Sequence, residues 1–515
     1  MSGERFLIGT DVGTLGTKTV LVGAEGVIVA STFEEYDVLR PRPLWAEQWP
    51  DVWFDAVVKT IKGVLRRSGV EASSIAGLCI SGLYGGSGIP LDSRGKPLRP
   101  CLIWLDRRAI KEVEWVKQNL ALDELFRVTA NTVDPYYGFT KMLWIKFNEP
   151  EVWRKIDQIL TPNAYCIYKL TGSTSIDYSS AGNYGGIFDI HKRNWSEKMM
   201  AALGIPRSFF PDSISMSKDV VGELSEEGAR LTGLKPGIPV SAGGIDAPVS
   251  ALSTGALRDG DLSIMLGTSM ANGFIQDVPR LSPRLINYPH VAYDSQKIYS
   301  FAGINTAGAC LRYFRDEFGS LESAQAKEKG MSAYALLDQE AEDVPPGSDG
   351  LVFLPHMMGG ERAPWWDPSL VGCLIGLTLF HTRAHVFRAF LEGIAYALRY
   401  SVETAVDSGM PLKRVLLVNG GSKSRLWRRI LTDVTGLCMT YMAEAPGAPL
   451  GDALLAGMGA GVISKYEEID GWLKITETTQ PNEKDKSTYD RFYELYNELY
   501  EANSSIFEKM SRIRE

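Results

Sequence analysis

Two apolar strands joined by a Gly/Thr turn are predicted by Phe6-Leu-Ile-Gly-Thr-Asp-Val-Gly-Thr-Leu-Gly-Thr-Lys-Thr-Val-Leu-Val22. A comparable unit recurs from Leu262 to Ile275, where an apolar strand is broken by Gly-Thr and followed by a second apolar stretch. Two such units predict two related domains, one in each half of the chain. We expect the boundary at the Gly- and Asp-containing joint after Ser253, which gives domains 1–253 and 254–515.

Strands and helices alternate in the rest of the chain. Ile75–Ile80 and Leu102–Trp104 have the composition of strands, and Trp53–Arg67 has helical periodicity. Later, Val415–Val418 is a buried-strand run, and a helix follows it from Arg425 to Thr435. This alternation predicts an α/β fold with mixed sheets.

The end of the chain predicts one amphipathic helix over about residues 486–515. Its large apolar and aromatic side chains fall on one stripe at helical spacing. The stripe consists of Tyr489, Phe492, Tyr493, Tyr496, Leu499 and Tyr500. Such a stripe is more typical of packing against the body of the protein than of binding a partner.

Composition and charge exclude several classes of protein. The 515 residues favour two or three domains, and 54 basic against 62 acidic residues give a net charge of −8, which disfavours a nucleic-acid partner. The six cysteines include no Cys-x-x-Cys pair, so we expect small buried side chains in a reducing compartment. The N-terminus lacks a signal-peptide pattern and no apolar run approaches the ~18 residues of a membrane span. We therefore expect a cytoplasmic protein without a membrane partner.

The first candidate site is the turn that runs from Asp11 to Lys18. Glycines allow backbone N–H groups to approach a phosphate closely, and threonine hydroxyls add donors. Asp11, at the end of the first strand, could hold a metal bound to those phosphates. A hairpin turn in which Asp11 bonds its own backbone explains the same residues.

The second candidate site is Asn419-Gly-Gly-Ser-Lys-Ser-Arg-Leu-Trp427. A buried strand runs into Gly-Gly and then into a helix, which aims free N–H groups at an adenosine or its phosphates. The alternative is an ordinary strand-to-helix turn capped by Ser422 or Ser424.

The third candidate site is Ile238-Pro-Val-Ser-Ala-Gly-Gly-Ile-Asp-Ala-Pro248, in which Asp246 follows a strand and a Gly-Gly turn at a predicted helix start. Phosphoryl transfer requires positioning, charge neutralisation and a carboxylate that accepts the hydroxyl proton. Asp246 could be that base, although a helix N-cap would use an aspartate at the same place.

Taken in order, these segments resemble the FGGY family of carbohydrate kinases, which includes xylulose, glycerol, gluconate and ribulose kinases. The resemblance runs over about residues 6–462. One family signature is matched loosely by Tyr137–Trp144, centred on Lys141 and Trp144. The other signature is matched nearly throughout by Gly372–Leu377 and His385–Gly393.

The resemblance implies two ribonuclease-H-like (actin-like ATPase) domains with a cleft between them. It places the sugar on the N-terminal domain and ATP mainly on the C-terminal domain. It also implies that Asp246 is the catalytic base and that Asp11 and Asp246 lie at the Mg2+ ion. The other residues implied at the nucleotide are Gly13, Thr14, Thr17, Lys18, Gly267, Thr268, Thr306, Gly308, Asn419, Gly420, Gly421 and Lys423.

The substrate loop departs from the family pattern. After the strand that ends near Ser81, xylulose kinases have a loop similar to Gly-Gln-Met-His-Gly, and glycerol kinases have one similar to Asn-Gln-Arg-Glu-Thr. This chain has Gly82-Leu-Tyr-Gly-Gly86 at the same place. Fewer donors therefore face the hydroxyls of a sugar, and polar pairing is where discrimination among sugars arises. The residues expected to face the substrate are Leu83, Tyr84, Gly85, Asp106, Tyr136 and Asp246.

The sequence thus predicts a sugar or polyol kinase that uses ATP and Mg2+, with a pentulose of the xylulose-kinase type as the leading substrate. A short linear polyol, similar to glycerol or erythritol, is the alternative substrate. An actin-like nucleotide-binding sensor without kinase activity is the alternative from another class, because the same fold serves proteins that act by conformational change. A homodimer is compatible with the resemblance, although no residue indicates one.

Overall fold

The computed structural model describes residues 4–443 and 447–514, which divide into two compact units. Each unit is discontinuous in sequence. The first contains Met1–Arg258, Ile275–Ser300 and Pro446–Leu473, and the second contains Asp259–Phe274, Phe301–Ala445 and Lys474–Glu515. The predicted domains 1–253 and 254–515 are continuous in sequence, whereas the first compact unit also contains two segments from the second half of the chain. The predicted domain boundary therefore stays a prediction.

The strands, in chain order, are β1 (Phe6–Val12), β2 (Gly16–Gly23), β3 (Ile28–Glu35), β4 (Glu47–Gln48), β5 (Ile75–Gly82), β6 (Ile89–Leu91), β7 (Cys101–Leu102), β8 (Gln158–Leu160), β9 (Phe188–Asp189), β10 (Asn194–Trp195), β11 (Val220–Glu223), β12 (Pro239–Ser241), β13 (Asp261–Leu266), β14 (Met270–Gln276), β15 (Ile286–Pro289), β16 (Ile298–Ile304), β17 (Val352–Leu354), β18 (Cys373–Ile375), β19 (Arg414–Val418), β20 (Met439–Met442) and β21 (Ile475–Thr479).

The helices are α1 (Pro50–Ser68), α2 (Ile110–Asn119), α3 (Leu122–Thr129), α4 (Gly138–Asn148), α5 (Pro150–Trp153), α6 (Pro162–Thr171), α7 (Tyr178–Asn183), α8 (Glu197–Leu203), α9 (Glu226–Thr232), α10 (Asp246–Leu252), α11 (Gly308–Phe318), α12 (Ser320–Lys329), α13 (Ala333–Glu342), α14 (Arg383–Asp407), α15 (Arg425–Thr435), α16 (Ala448–Gly459) and α17 (Glu483–Arg514).

The first unit is built on a six-stranded sheet with the order β11-β12-β5-β1-β2-β3. Strands β1, β2 and β3 form an antiparallel meander, while β5 and β12 run parallel to β1 and to each other. The predicted strand, turn and strand of Phe6–Val22 are therefore confirmed. Because β1 is central and covered on both faces, its residues form an apolar run in which Leu7 and Ile8 have no exposed surface.

Helices cover both faces of this sheet. Helix α1 packs on β2 and β3 through Trp53, Val57 and Ile61, which share one helical face and are fully buried. Helix α16 packs on β1 and β5. A Cβ atom at Gly9 would clash with the carbonyl oxygen of Pro449, so the absence of a side chain there lets α16 approach the strand at backbone distance.

The second unit repeats this strand order as β16-β14-β13-β19-β20-β21. Strand β13 pairs antiparallel with β14 and parallel with β19, β19 pairs parallel with β20, and β21 is an antiparallel edge strand. In both units, therefore, a central strand has an antiparallel neighbour on one side and two parallel strands on the other. The predicted repeat of Phe6–Val22 and Leu262–Ile275 is confirmed.

Other predicted elements are confirmed with shifted ends. Strand β7 is Cys101–Leu102, so it overlaps the predicted strand Leu102–Trp104 only at Leu102, and its two residues pair with the two residues of β4. Helix α17 begins three residues before the predicted start, and the predicted last residue, Glu515, lies outside the described residues. Its stripe packs within the second unit, where Tyr489 and Tyr496 are each 1% exposed.

All six cysteines are free, and four of them are buried as expected. The expectation was wrong for Cys438, which is exposed, and Cys373 is only partly buried. Across residues 4–443 and 447–514, no helix combines the length and the apolar character that a membrane crossing requires.

Candidate active site

The first candidate turn brings three side chains together. Asp11, near the end of β1, lies opposite Lys18 on β2 and beside Ser81 on β5. The Oγ atom of Ser81 is 3.2 Å from Oδ1 of Asp11. Burial raises the pKa of Asp11 to about 6, because desolvation disfavours the carboxylate more than Ser81 and Lys18 favour it. An acid therefore lies at the carboxyl end of a buried central strand, as the sequence predicts.

Sequence analysis missed Asp452, a second acid at this place. Asp452 is on α16, is fully buried, and accepts a hydrogen bond of 2.6 Å from Oγ of Ser81. Desolvation raises the pKa of Asp452 well above its ordinary value. Ser81 therefore lies between the two buried acids, with one hydroxyl hydrogen and a carboxyl group within reach on each side. Gly447-Ala-Pro-Leu-Gly451, a segment similar to one in the carbohydrate kinases, directly precedes Asp452 and was the signal in the sequence.

Thr17 and Thr14, two of the predicted nucleotide residues, are each held by an aromatic side chain. The hydroxyl of Tyr36 donates to the carbonyl oxygen of Gly13 at 2.7 Å and lies 3.2 Å from Oγ1 of Thr17, which is fully buried. The indole N–H of Trp104 donates to Oγ1 of Thr14 at 3.0 Å. Thr17 thus acts on the turn through Tyr36, while Thr14 is oriented by Trp104.

The corresponding turn of the second unit is held by the start of α11. The amides of Gly308 and Ala309 donate to the carbonyl oxygens of Gly267 and Thr268 at 2.9 and 3.0 Å. A Cβ atom at Gly308 would lie 2.6 Å from the oxygen of Gly267, so this approach requires glycine. Thr306 is 4% exposed, and its hydroxyl donates to the carbonyl oxygen of Pro355. The side chain of Thr268 is exposed and available to a ligand.

The Gly-Gly turn after β19 leads into a capped helix, which is one of the two interpretations of this segment. Oγ of Ser424 accepts the Trp427 amide at 3.0 Å, so the predicted cap on α15 is confirmed. Asn419 has a φ of 77°, which turns the chain sharply before the 3₁₀ segment that begins at Gly420. No atom lies within 4 Å of a Cβ built on Gly420, whereas one on Gly421 would lie 2.6 Å from Trp427.

These contacts divide the turn into an outer and an inner side. Asn419, Gly420 and Lys423 are exposed, so they are available to a ligand. Gly421 instead faces inward against the neighbouring side chains.

Asp246 is the first residue of α10, and Ile245 is its N-cap residue. Oδ1 of Asp246 accepts the amide of Ala247 at 2.7 Å, and the residue is partly exposed. The amide of Gly82, at the start of the substrate loop, donates to the carbonyl oxygen of Gly244 at 3.0 Å. The segments predicted to carry the base and the substrate contacts therefore lie side by side in the first unit.

The substrate loop lines a cavity of about 10 Å³, which has room for one water molecule. Tyr84, in this loop, packs against the ring of Tyr136 at a centroid distance of 4.9 Å. The residues that line the cavity carry no charge: Leu83, Tyr84, Gly85, Gly86, Thr161, Ser180, Tyr184 and Ile245.

Tyr136 is fixed from three sides. Its amide donates to Oδ1 of Asp134 at 2.7 Å, its hydroxyl lies 3.4 Å from Nδ2 of Asn183, and its carbonyl oxygen accepts from Nζ of Lys141 at 2.7 Å. Lys141 also donates to the carbonyl oxygen of Pro135. Desolvation lowers the pKa of Lys141 to about 7, although Asp106 and Asp134 oppose this shift. A buried lysine, central to a family signature, therefore holds a predicted substrate residue.

Asp106 lies in a buried ion-pair network. Its Oδ2 accepts the amide of Ala46 at 2.7 Å and pairs with the Arg108 guanidinium, which also pairs with Glu47. Asp106 has no exposed surface. These contacts give Asp106 a structural role, and its predicted contact with substrate stays a prediction.

The repeated strand order and the paired Gly-Thr turns define an α/β protein of two domains of the ribonuclease-H-like, actin-like ATPase class. The chain belongs to the FGGY family of carbohydrate kinases, whose N-terminal domain matches residues 6–253 and whose C-terminal domain matches residues 262–460. The protein is therefore a carbohydrate kinase, which uses ATP to phosphorylate a sugar.

Relatives cover nearly the whole chain. A xylulose kinase from Staphylococcus xylosus is 27% identical over 499 residues, 96% of this chain and 100% of that protein. A gluconokinase from Bacillus licheniformis is 28% identical over 502 residues, 96% of each chain. The crystal structure of a xylulose kinase from Rhodospirillum rubrum superposes with a TM-score of 0.87 at 29% identity, covering 98% of this chain and 100% of that one.

Proposed function

We propose that this kinase phosphorylates a neutral five-carbon ketose, with Asp246 as the general base. The observation that carries the proposal is the hydrogen bond from the Gly82 amide to the Gly244 carbonyl, which joins the substrate loop to the segment that bears Asp246. Asp246 is partly exposed at the start of α10, so its carboxylate can accept the proton of a sugar hydroxyl as the phosphoryl group is transferred.

The charges around the substrate loop favour a neutral sugar over an aldonate. A carboxylate substrate would need a cationic partner, preferably a bidentate arginine. Lys141, beside this loop, is fully buried and donates to two backbone carbonyls. Arg107 is already paired with both oxygens of Asp134, at 2.6 and 3.1 Å. The relatives include both xylulose kinases and gluconokinases, and this pattern favours the xylulose type.

The first turn fits a magnesium–nucleotide complex. The carboxylate of Asp11 and the hydroxyl of Thr14 offer the hard oxygen ligands that Mg2+ prefers, and Gly13, which has no side chain, allows a phosphate to approach the turn closely. We assign Mg2+ to Asp11 and Asp246, and the ion would neutralise charge on the transferring phosphoryl group. Lys18, with Thr17 behind the turn, completes this half of the site.

The second unit carries the other residues that this proposal assigns to the nucleotide. Exposed Thr268, Asn419, Gly420 and Lys423 offer neutral donors and one cation to the adenosine and phosphates. Gly267, Thr306, Gly308 and Gly421 support the backbone from which those groups project. The proposal thus assigns the sugar to 1–253 and the nucleotide mainly to 254–515, with the turn from Asp11 to Lys18 as the contribution of 1–253 to the nucleotide.

A short linear polyol is the second candidate substrate. Tyr136 favours it, because this tyrosine is held from three sides and lies in Asp134-Pro-Tyr-Tyr137, which resembles the stretch through which glycerol kinases contribute a tyrosine to the polyol.

The test is ADP release with Mg-ATP across pentuloses, hexuloses, aldonates and polyols of three to six carbons, with Asp246→Asn to define background hydrolysis. We expect one pentulose to stimulate turnover well above background and gluconate to give none. Gluconate as the best substrate would overturn the neutral-sugar proposal, and a C3–C4 polyol as the best substrate would establish the second candidate. Binding of ATP with no stimulation by any sugar would contradict both.

A further inference from the structure

Asp177 is a buried acid that the catalytic proposal does not use. It precedes α7 as the N-cap residue, and its Oδ1 accepts the Ser180 amide at 2.9 Å. Asp177 is only 1% exposed, although aspartate is a residue type that is mostly found at the surface. Desolvation raises its pKa, opposed by hydrogen bonds from Ser179, Ser180 and Asn163. Capping of a six-residue helix alone does not account for such a costly burial.

The bonds of Asp177 have a fixed direction. Its Oδ1 accepts the hydroxyl of Ser179 in addition to the Ser180 amide, and its Oδ2 accepts Nδ2 of Asn163 at 3.3 Å. Nδ2 of Asn163 also donates to the carbonyl oxygen of Ala242, at the start of the Gly-Gly turn before Asp246. Each described partner of Asp177 is a donor, so an amide in its place would set a donor against a donor.

The bond to Asp177 orients the hydroxyl of Ser179. A serine has one hydroxyl hydrogen, and when that hydrogen faces Asp177 the lone pairs of Oγ face the other way. There they accept the amide of Ile245 at 3.0 Å. Ser179 has no exposed surface, so water does not compete for this bond.

The neighbouring glycines make this approach possible. A Cβ atom at Gly244 would lie 2.9 Å from Oγ of Ser179 and 2.6 Å from Cγ1 of Val291. Gly243 has a φ of 67°, and a Cβ atom there would clash with the carbonyl oxygen of Ile80. The Gly-Gly turn therefore permits the Ile245 peptide to lie against Ser179.

The anchored residue is the one that directly precedes the base. Ile245 is the N-cap residue of α10 and Asp246 is the first residue of that helix. We propose that Asp177 and Ser179 are positioning residues, which hold the Ile245 amide and thereby fix the place of the Asp246 carboxylate. They act through the backbone and not on the reacting atoms. The inference rests on the proposed role of Asp246 as the base.

The test compares Ser179→Ala and Asp177→Asn with the wild type, using the best sugar of the substrate panel. Misplacement of a catalytic group by about 1 Å can cost on the order of 100-fold, so we expect kcat to fall about 10- to 100-fold in both variants. The KM values for sugar and ATP should change less than about threefold, because neither residue is assigned to binding.

A matched control separates positioning from general loss of stability. Ser196 is also a buried serine of the first unit, and its Oγ caps α8 by accepting the Met199 amide at 3.4 Å. Ser196→Ala should lower the melting temperature, since a cap is lost, and leave kcat per folded molecule unchanged. If Ser179→Ala behaves like Ser196→Ala, with reduced melting temperature and full kcat, the inference is wrong.

A double-mutant cycle gives the decisive readout. Once the base is removed by Asp246→Asn, its position no longer matters, so adding Ser179→Ala should cost less than about threefold. Full multiplication of the two single effects would overturn the positioning role. Wild-type kcat in Asp246→Asn itself would overturn the proposed base, which is a different result. If Ser179→Ala does not fold, Asp177→Asn is carried through the same cycle and judged by the same outcomes.

Discussion

The two units share one strand order, yet the turns between their first two strands differ in charge. Gly13-Thr14 in the first unit corresponds to Gly267-Thr268 in the second, each directly after the central strand. Two residues before the glycine, the first unit has Asp11 and the second has Met265. The backbone of the phosphate turn is therefore repeated, while the acid is present in one copy.

The contrast extends to the neighbouring strand. Asp11 lies beside Ser81 of β5, and Met265 lies beside Val418 of β19 at the matching register. A polar pair in the first unit is an apolar pair in the second. The backbone of the phosphate turn is thus present twice, whereas the two acids of the proposed mechanism, Asp11 and Asp246, both lie in the first unit.

The largest loss of kcat is expected when the acid that distinguishes the first turn from the second is removed. Asp11→Asn removes the charge assigned to Mg2+ and should lower kcat on the order of 100-fold or more, because a catalytic metal contributes several kcal/mol to the transition state. Steady-state kinetics with varied Mg2+ checks it. The matched control is Met265→Leu, at the same position of the second unit, which should keep kcat within about twofold. Equal losses in both variants would contradict the asymmetry.

A second prediction concerns the inner and outer glycines of the second unit. A Cβ atom at Gly421 would lie 2.8 Å from Cγ and 3.0 Å from the carbonyl oxygen of Leu266, which directly precedes the phosphate turn. Gly421→Ala should therefore destabilise the protein by about 1–3 kcal/mol and also raise the KM for ATP.

Gly420→Ala sharpens this prediction, since nothing lies within 4 Å of the added atom. It should leave the melting temperature unchanged and raise only the KM for ATP, by crowding the proposed ligand. Thermal melts and ATP kinetics separate the two variants. A lowered melting temperature in Gly420→Ala, or an unchanged melting temperature in Gly421→Ala, would show that the inner and outer sides are wrongly assigned.

The smallest expected effect concerns the buried cation of the first unit. The pKa of Lys141 is about 7 in the folded protein, below its ordinary value of 10.5. Between these values the unfolded chain holds the proton and the folded protein has lost it, so the free energy of unfolding should rise with pH. The slope from one such group is at most about 1.4 kcal/mol per pH unit.

Lys141→Met removes this group at similar length. Urea unfolding at pH 7.5 and pH 9 should show a larger gain in the free energy of unfolding for the wild type than for Lys141→Met. Parallel behaviour of the two proteins would mean that Lys141 keeps an ordinary pKa.

Features with a local signature were predictable from sequence. The two Gly-Thr units, α1, α15 and the helix start at Asp246 follow from apolar periodicity and from glycines at turns. Strand β7 was predicted with shifted ends, because its bounds depend on pairing with the two residues of β4.

The supporting contacts of the site were not predictable, because their partners are distant in sequence. Ser81 and Asp452 are 371 residues apart, and Ser179 and Ile245 are 66 residues apart. Asp106 also shows the limit of motif matching, since its surroundings pair it fully with Arg108 and the Ala46 amide. A motif match identifies a residue, whereas the packing around that residue shows which atoms its side chain contacts.

The proposed mechanism depends above all on Asp246 of the first unit as the base that accepts the sugar proton. The most direct test measures Asp246→Asn in three ways: its melting temperature, its calorimetric Kd for ATP and for the best sugar, and its kcat. The variant should fold and bind both ligands within about threefold of the wild type and lose on the order of 100-fold or more in kcat. An Asp246→Asn protein that turns over at the wild-type rate would contradict the claim.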